Sequence, residues 1–337
     1  MFARFDRRRL RPRACHSYAA PGRNSEEGAR RTPLTQSPPI RTAVAVVLTL
    51  LAGCDGATGD ESVGEIQQPL SGRNFGVYAA KSFENGWLGS LAYQWGMSNG
   101  FVSAEQSYGT TKTFYYNLSN NRALYWHDTR DGWTNGLDTV DLFFSTTHGA
   151  YDWPYQPPSG QHWAVWAMYE DHGDTKYPNW TGSAAYSDLM RLGDDSLGLS
   201  VFATYSGDTM HVDSYWWTRW APIMNGGLRI ALGCYGAPTG GSGASSVGQA
   251  FADYLEASSG TAYSIDYAWM YGLEYVDANA PAATIATGTG IGMPACSSDC
   301  WRRMNDMTWA NMKNGSYPRL RNDQSPYVGC GCIRTYN

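Results

Sequence analysis

The sequence predicts an α/β domain with a mainly parallel sheet flanked by helices, and three short apolar runs carry that expectation. Val140-Asp141-Leu142-Phe143-Phe144-Ser145-Thr146-Thr147 ends abruptly in His148-Gly149. Leu199-Ser200-Val201-Phe202-Ala203-Thr204 ends at Tyr205-Ser206, and Leu228-Arg229-Ile230-Ala231-Leu232 ends at Gly233-Cys234. Runs of this length and composition read as strands buried on both faces, as in parallel sheets. Open α/β sheets gather their sites at the carboxyl ends of such strands, which is where a histidine and two possible nucleophiles stand.

Taken in order, the chain divides into four parts. Residues 1–53 form an N-terminal extension and a signal peptide. Residues 54–70, rich in Gly, Asp, Glu and Gln, read as a flexible tether. Residues 71–292 form the α/β domain, and residues 293–337 a C-terminal segment stapled by disulfides. Within the domain, Phe75–Tyr78 reads as the first strand, 90–97 as a helix and Thr113–Tyr116 as a strand. A turn at 133–137 precedes the His-Gly strand. Residues 150–180 hold four prolines and eight aromatics without a clear period, and read as a long loop. The stretch 182–192 suits a short helix before the strand 199–204. Residues 216–224 are helical or looped, and 228–232 is the next strand. Val247–Leu255 has apolar residues at 247, 250, 251, 254 and 255, a helix face. Residues 264–270 read as one more helix. Strands alternating with helices give the α/β class.

The first 53 residues set the expected destination. Arg41 precedes a ten-residue apolar core, Ala43–Ala52, and then Gly53-Cys54. A basic flank, a short apolar core and small residues at the cut make a secretory signal too short to span a bilayer. Leu51-Ala52-Gly53-Cys54 resembles the bacterial lipobox, which implies that Cys54 is acylated, becomes the new N-terminus and holds the protein on a membrane of the envelope. Asp55 leaves the choice of membrane open. Residues 1–40 carry nine arginines, Cys15 and no apolar period, and read as disordered or as the product of a start assigned too early. The expected localisation is exported and membrane-anchored, periplasmic or at the cell surface.

The full chain has a formal charge of −5, but from Cys54 onward it carries 15 Lys+Arg against 27 Asp+Glu, a net −12. So acidic a mature chain has no electrostatic footprint for nucleic acid. The many Trp and Tyr residues fill a core or shape loops that hold a protein, peptide or glycan partner. Cys296, Cys300, Cys330 and Cys332 cluster as Cys-x3-Cys and Cys-x-Cys. In an exported chain they read as two disulfides tying the tail to 296–300, with connectivity open and Cys234 left free. Their spacing is not that of a zinc ribbon, and no cofactor or metal is expected.

The order apolar strand, His-Gly, helix, apolar strand, nucleophile resembles the caspase–hemoglobinase group of cysteine peptidases, which includes gingipains, clostripain and legumain. His148-Gly149 matches the His-Gly block and Gly233-Cys234 the later small-residue-Cys block. The stretch from Trp216 through Gly233, Gly248, Phe251 and Tyr254 to Ala268-Trp269 is also similar to an uncharacterised bacterial family of that fold. The resemblance spans roughly residues 75–290 and implies a peptidase-like hydrolase. In it His148 takes the thiol proton, Cys234 attacks a carbonyl, and the amides of Gly149 and the nucleophile stabilise the oxyanion. A non-catalytic surface module that binds through its aromatic loops, 150–180 and 205–220, is the alternative.

One difficulty is visible in the sequence. The family separates its His and Cys strands by a single helix, whereas here the strand after His148 ends at Ser206. Strands lie about 4.8 Å apart, so a nucleophile two strands away starts near 10 Å. Either Ser206 holds the family's cysteine position or 199–204 is an inserted strand. His127, His162, His172 and His211 are weaker candidates. His162 and His172 with Glu170, Asp171 and Asp174 would form a loop metal site without a motif behind it. Asp208 and Asp213, near strand ends, are candidates for calcium or a basic side chain.

Overall fold

The structure, a computed structural model, describes residues 14–19 and most of 74–336. Residues 1–13, 20–73, 84–87, 118–121, 129–131, 133–135, 153–160, 169–183, 195–197, 239–241, 257–262, 275–280, 290–294, 314–315, 322–329 and 337 lie outside it. The signal peptide, Cys54, the tether, and the loop carrying Glu170, Asp171, His172 and Asp174 therefore fall outside the described residues.

In chain order the elements are β1 (Ala14–Ala19), β2 (Asn74–Ala79), α1 (Gln94–Ser107), β3 (Thr111–Asn117), β4 (Leu142–Thr146), β5 (Gly149–Tyr151), β6 (Ala164–Ala167) and β7 (Ala184–Tyr186). They continue with β8 (Val201–Tyr205), α2 (Trp216–Met224), β9 (Ile230–Cys234), α3 (Val247–Leu255), α4 (Ile265–Glu274), β10 (Ala282–Gly288), α5 (Ala295–Asp306), α6 (Trp309–Lys313) and β11 (Cys330–Thr335). The main sheet has eight strands in the order β1-β11-β10-β9-β8-β4-β2-β3. The pairs β2–β3, β2–β4, β4–β8 and β8–β9 are parallel. The pairs β9–β10, β10–β11 and β11–β1 are antiparallel. The protein is thus α/β with a mostly parallel mixed sheet flanked by helices. A second sheet, β5-β6-β7, is antiparallel.

Side-chain alternation along the strands gives the main sheet two apolar faces. Leu142 and Phe144 of β4 join Val201, Ala203 and Tyr205 of β8 and Ile230, Leu232 and Cys234 of β9, under α1, α3 and α4. Phe144 stacks on Phe101 of α1 at 4.5 Å. Phe143 turns to the opposite face with Phe202, Trp126, Trp166 and Trp220 of α2. Every residue of β4, β8 and β9 is buried, as expected of strands covered on both sides. Helices α1 and α3 meet closely because position 248 is glycine. A Cβ there would lie 2.1 Å from the Met97 carbonyl oxygen.

Three sequence expectations are corrected. Within 182–192 the described residues form not a helix but the strand β7, Ala184–Tyr186, which pairs with β6, followed by a 3-10 turn at Ser187–Leu189. The region 150–180 is not one loop, since β5 and β6 form a hairpin within it. Residues 1–40 are not wholly without structure, since Ala14–Ala19 pair along β11.

In the C-terminal segment Cys300 of α5 is bonded to Cys332 of β11 across a Cα–Cα distance of 6.1 Å. Cys330 is also disulfide-bonded. The side chain of Cys296 lies outside the described residues. Cys234 is free and buried, as the four-plus-one count predicts.

Candidate functional site

Strand β4 delivers His148 to the carboxyl edge of the sheet, where the chain passes straight into β5. The backbone pairing of the β5–β6 hairpin begins at that histidine, since Ala167 donates its amide to the His148 carbonyl at 2.9 Å. In this register His148 lies beside Ala167 and Ala150 beside Val165, so all four side chains share one face of the hairpin. With Leu88 and Gly149 they line a cleft of about 260 Å³. Gly149, Tyr151, Ala164 and Trp166 share the other face.

The imidazole is held by two groups from the segment after β2. Its ring packs on Phe83 at 5.0 Å, and its Nε2 lies 2.8 Å from the Gly89 carbonyl oxygen. A carbonyl only accepts, so Nε2 carries the proton. In the neutral ring Nδ1 is then the acceptor left for a ligand. No residue in the sequence marked itself as an orienting group for His148. The group is a main-chain carbonyl 59 residues upstream, and a backbone group leaves no signature in residue type.

The two candidate nucleophiles sit elsewhere. Strand β8 lies directly beside β4, with Tyr205 level with Thr146. Strand β9 is one strand further out, and its register with β8 sets Cys234 level with Tyr205. The cysteine backbone is therefore about 10 Å from β4. Cys234 is fully buried in the face covered by α1, α3 and α4. Burial pushes its thiol well above its ordinary value, a bond from the Ser206 amide lowers it somewhat, and Asp208 adds to the rise.

Ser206 follows β8 but turns the other way. Its Oγ lies 2.7 Å from Thr204 Oγ1. That oxygen also receives bonds from Ser145 Oγ at 2.9 Å and Trp166 Nε1 at 3.1 Å. With two donors on its oxygen, the Thr204 hydroxyl gives its own proton to Ser206. Ser206 is 1% exposed and sits on the Phe202–Trp166 side, opposite Cys234. Among the described residues no hydroxyl or thiol hydrogen-bonds to His148.

Gly149 is required by packing. A Cβ there would come within 2.4 Å of Thr209 Cγ2, 2.7 Å of the Gly207 carbonyl oxygen and 2.8 Å of Ser206 Cβ. The absence of a side chain lets the hairpin lie on the loop after β8. Since residues 148 and 167 form the hydrogen-bonded pair, the amide and carbonyl of Gly149 point away from β6.

A polar brace on the other face of the hairpin is a feature sequence reasoning missed. Arg219 of α2 is fully buried and donates to Asp152 Oδ2 at 3.1 Å, to Asp213 and to the His211 carbonyl at 3.0 Å. His162 Nδ1 lies 2.9 Å from the same Asp152 oxygen, and its ring stacks on Tyr215 at 3.7 Å. His211 stacks on Tyr151 at 3.8 Å. Asp208 lies 4.0 Å from His211 Nδ1. Asp152, His162, His211 and Asp213 thus clamp the hairpin to α2. Among the described residues no cluster of three His, Cys, Asp or Glu side chains could hold a metal ion. His127 directly follows the 3-10 turn Ala123–Trp126, before β4.

The chain matches the family described as "Domain of unknown function (DUF6345)" over residues 79–324, which covers His148, Ser206 and Cys234, and it belongs to that family. No curated protein and no solved structure matches it.

Proposed function

We propose that this is an exported, lipid-anchored envelope protein whose domain binds a ligand at the cleft beside His148 without cleaving it, on a caspase–hemoglobinase-like scaffold. The parallel order β3-β2-β4-β8-β9, with the His-Gly pair closing the middle strand, supports the scaffold. The observation that carries the non-catalytic reading is the separation of His148 from both nucleophiles. Attack needs a thiolate or an activated hydroxyl within about 3 Å of its base. The Cys234 thiol is buried and held protonated on one face, and the Ser206 hydroxyl is tied to Thr204 on the other.

The lipobox at residues 51–54 and the apolar run before it support the anchor. Cleavage before Cys54 also removes β1, so Cys330–Thr335 become an open edge in the mature protein. Intact-mass analysis of membrane-extracted protein tests this. The expected product begins at Cys54 and carries acyl mass, and an unacylated N-terminus upstream of Cys54 contradicts it.

A peptidase-like hydrolase is the second reading, favoured by one observation. Gly89 fixes the His148 tautomer and the Gly149 amide faces away from β6, which is half of an acyl-transfer site. Turnover of a peptide library by the purified protein separates the two. The binding reading predicts no cleavage, with retention of peptides or glycans that weakens in His148→Ala. Cleavage lost in both His148→Ala and Cys234→Ala establishes the hydrolase with Cys234, and cleavage lost in Ser206→Ala alone establishes Ser206.

A further inference from the structure

We infer that Tyr254, Tyr263 and Tyr271 form an oxidative cross-linking site, at which a one-electron oxidant joins Tyr263 covalently to one of its two neighbours. The site stands on α3 and α4 and is independent of either reading of the cleft beside His148. Three observations carry it.

The first is proximity. The rings of Tyr254 and Tyr263 are 5.4 Å apart, those of Tyr263 and Tyr271 5.3 Å, and those of Tyr254 and Tyr271 5.5 Å. Each ring therefore touches both others. Helix packing brings them together. Position 272 is glycine, and a Cβ there would lie 2.9 Å from the Phe251 Cα. The absence of that Cβ lets α4 run against the backbone of α3, which sets Tyr271 beside Tyr254.

The second is access to water. All three tyrosines are half-buried, each packed on one side against the core. A phenol that loses an electron must also lose its proton, and a phenol that reaches solvent can do so. Tyr78 and Tyr116 are as close, at 5.3 Å, but Tyr78 is fully buried, and burial pushes its phenol well above its ordinary value. Tyr78 therefore keeps its proton, and that pair serves as an internal control. The third is freedom to move. Tyr263 lies outside both helices, two residues before α4 begins at Ile265, whereas Tyr254 and Tyr271 are fixed on helical backbone. Bond formation needs two ortho carbons to meet, and Tyr263 is the ring that can shift to meet either partner.

In the step, each of two phenols gives one electron to the oxidant and one proton to water, leaving two phenoxyl radicals. These join ortho carbon to ortho carbon, and the two ring protons move to the phenol oxygens as aromaticity returns. The protein loses two hydrogen atoms, and a haem peroxidase acting as the oxidant reduces one hydrogen peroxide to two waters. Both radicals belong to one molecule, so coupling is unimolecular and outruns encounter between molecules in dilute protein.

The test treats dilute purified protein with a haem peroxidase and limiting hydrogen peroxide, then digests it after Arg and Glu. Cleavage at Arg229, Glu256 and Glu274 puts Tyr254 on one peptide, 230–256, and Tyr263 and Tyr271 on the next, 257–274. The expected product is either the two peptides joined, or peptide 257–274 lighter by two hydrogens, with dityrosine fluorescence in the monomer. Its yield stays constant over about tenfold dilution. Tyr263→Phe keeps the ring and its packing but forms no phenoxyl radical, so it abolishes the product while its thermal melt matches the wild type. Tyr116→Phe leaves the yield unchanged. Failure of the wild type to form the product, a yield that falls on dilution, or a product undiminished in Tyr263→Phe overturns the inference. Equal cross-linking in urea-denatured protein also overturns it, because the fold would then not be what positions the rings.

Discussion

Removing the cross-link between α5 and β11 tests how the C-terminal strand is held in the sheet. Cys300 and Cys332 are 32 residues apart. Closing a loop of that length removes about 12.5 cal/mol/K of unfolded-state entropy, or about 3.7 kcal/mol at room temperature. Cys330 is bridged as well. If its partner is Cys296, the second bridge closes nearly the same loop and preserves most of that constraint. Cys300→Ala/Cys332→Ala should therefore cost under about 1 kcal/mol in the oxidised protein, chiefly lost packing. Full reduction of the wild type should cost about 3.7 kcal/mol, which at a slope of about 3 kcal/mol/M lowers the urea midpoint by about 1 M. The assay is urea unfolding followed by tryptophan fluorescence, with and without reductant. Loss of the whole 3.7 kcal/mol in the oxidised double variant would show that Cys330 does not tie the same segments. No loss on reduction would show that β11 is held by packing alone.

Three further outcomes follow from the packing and the charges. Gly149→Ala should lower stability by about 1–3 kcal/mol in a thermal melt, since the Gly207 carbonyl at 2.7 Å is main chain and cannot rotate away. Arg219→Met should cost about 2 kcal/mol by the same measurement, because Asp152 and Asp213 lose their shared partner but are partly exposed to water. The carboxyl of Asp299 is pushed up by burial, yet Arg303, Arg302 and the amide and hydroxyl of Thr289 hold it below its usual value. A depressed folded-state pKa gives stability that is present above about pH 4 and lost as pH falls through the folded value. The urea midpoint should therefore fall on acidification below pH 4, and fall less in Asp299→Asn.

The elements with a strong local period were legible in the sequence. The apolar positions 247, 250, 251 and 255 mark α3 at its observed bounds, Val247–Leu255. The runs before His148, Ser206 and Cys234 became β4, β8 and β9, each shifted by no more than two residues. The stretch 182–192 misled because Ala184 and Ala185 favour helix locally, and their pairing with β6 overrides that preference. That β8 lies between β4 and β9 is a matter of strand order, which periodicity cannot supply. The parity of β8 and β9 held a usable signal. Counting by twos from Phe202 reaches Ser206, and from Ile230 reaches Cys234, so the two side chains fall on opposite faces once the sheet is known. The Gly89 carbonyl and the Arg219 brace depend on loops meeting in space, and nothing local announces them.

The proposal that His148 activates neither Cys234 nor Ser206 is tested most directly by the native thiol reactivity of Cys234. The protein is treated with iodoacetamide at neutral pH, with and without denaturant, and the Cys234 peptide is quantified by mass. A thiol that is fully buried and held protonated should stay unmodified in the folded protein and react only once it is unfolded. Rapid, stoichiometric alkylation of Cys234 in the folded protein, lost in His148→Ala, would contradict the account and restore the catalytic pair.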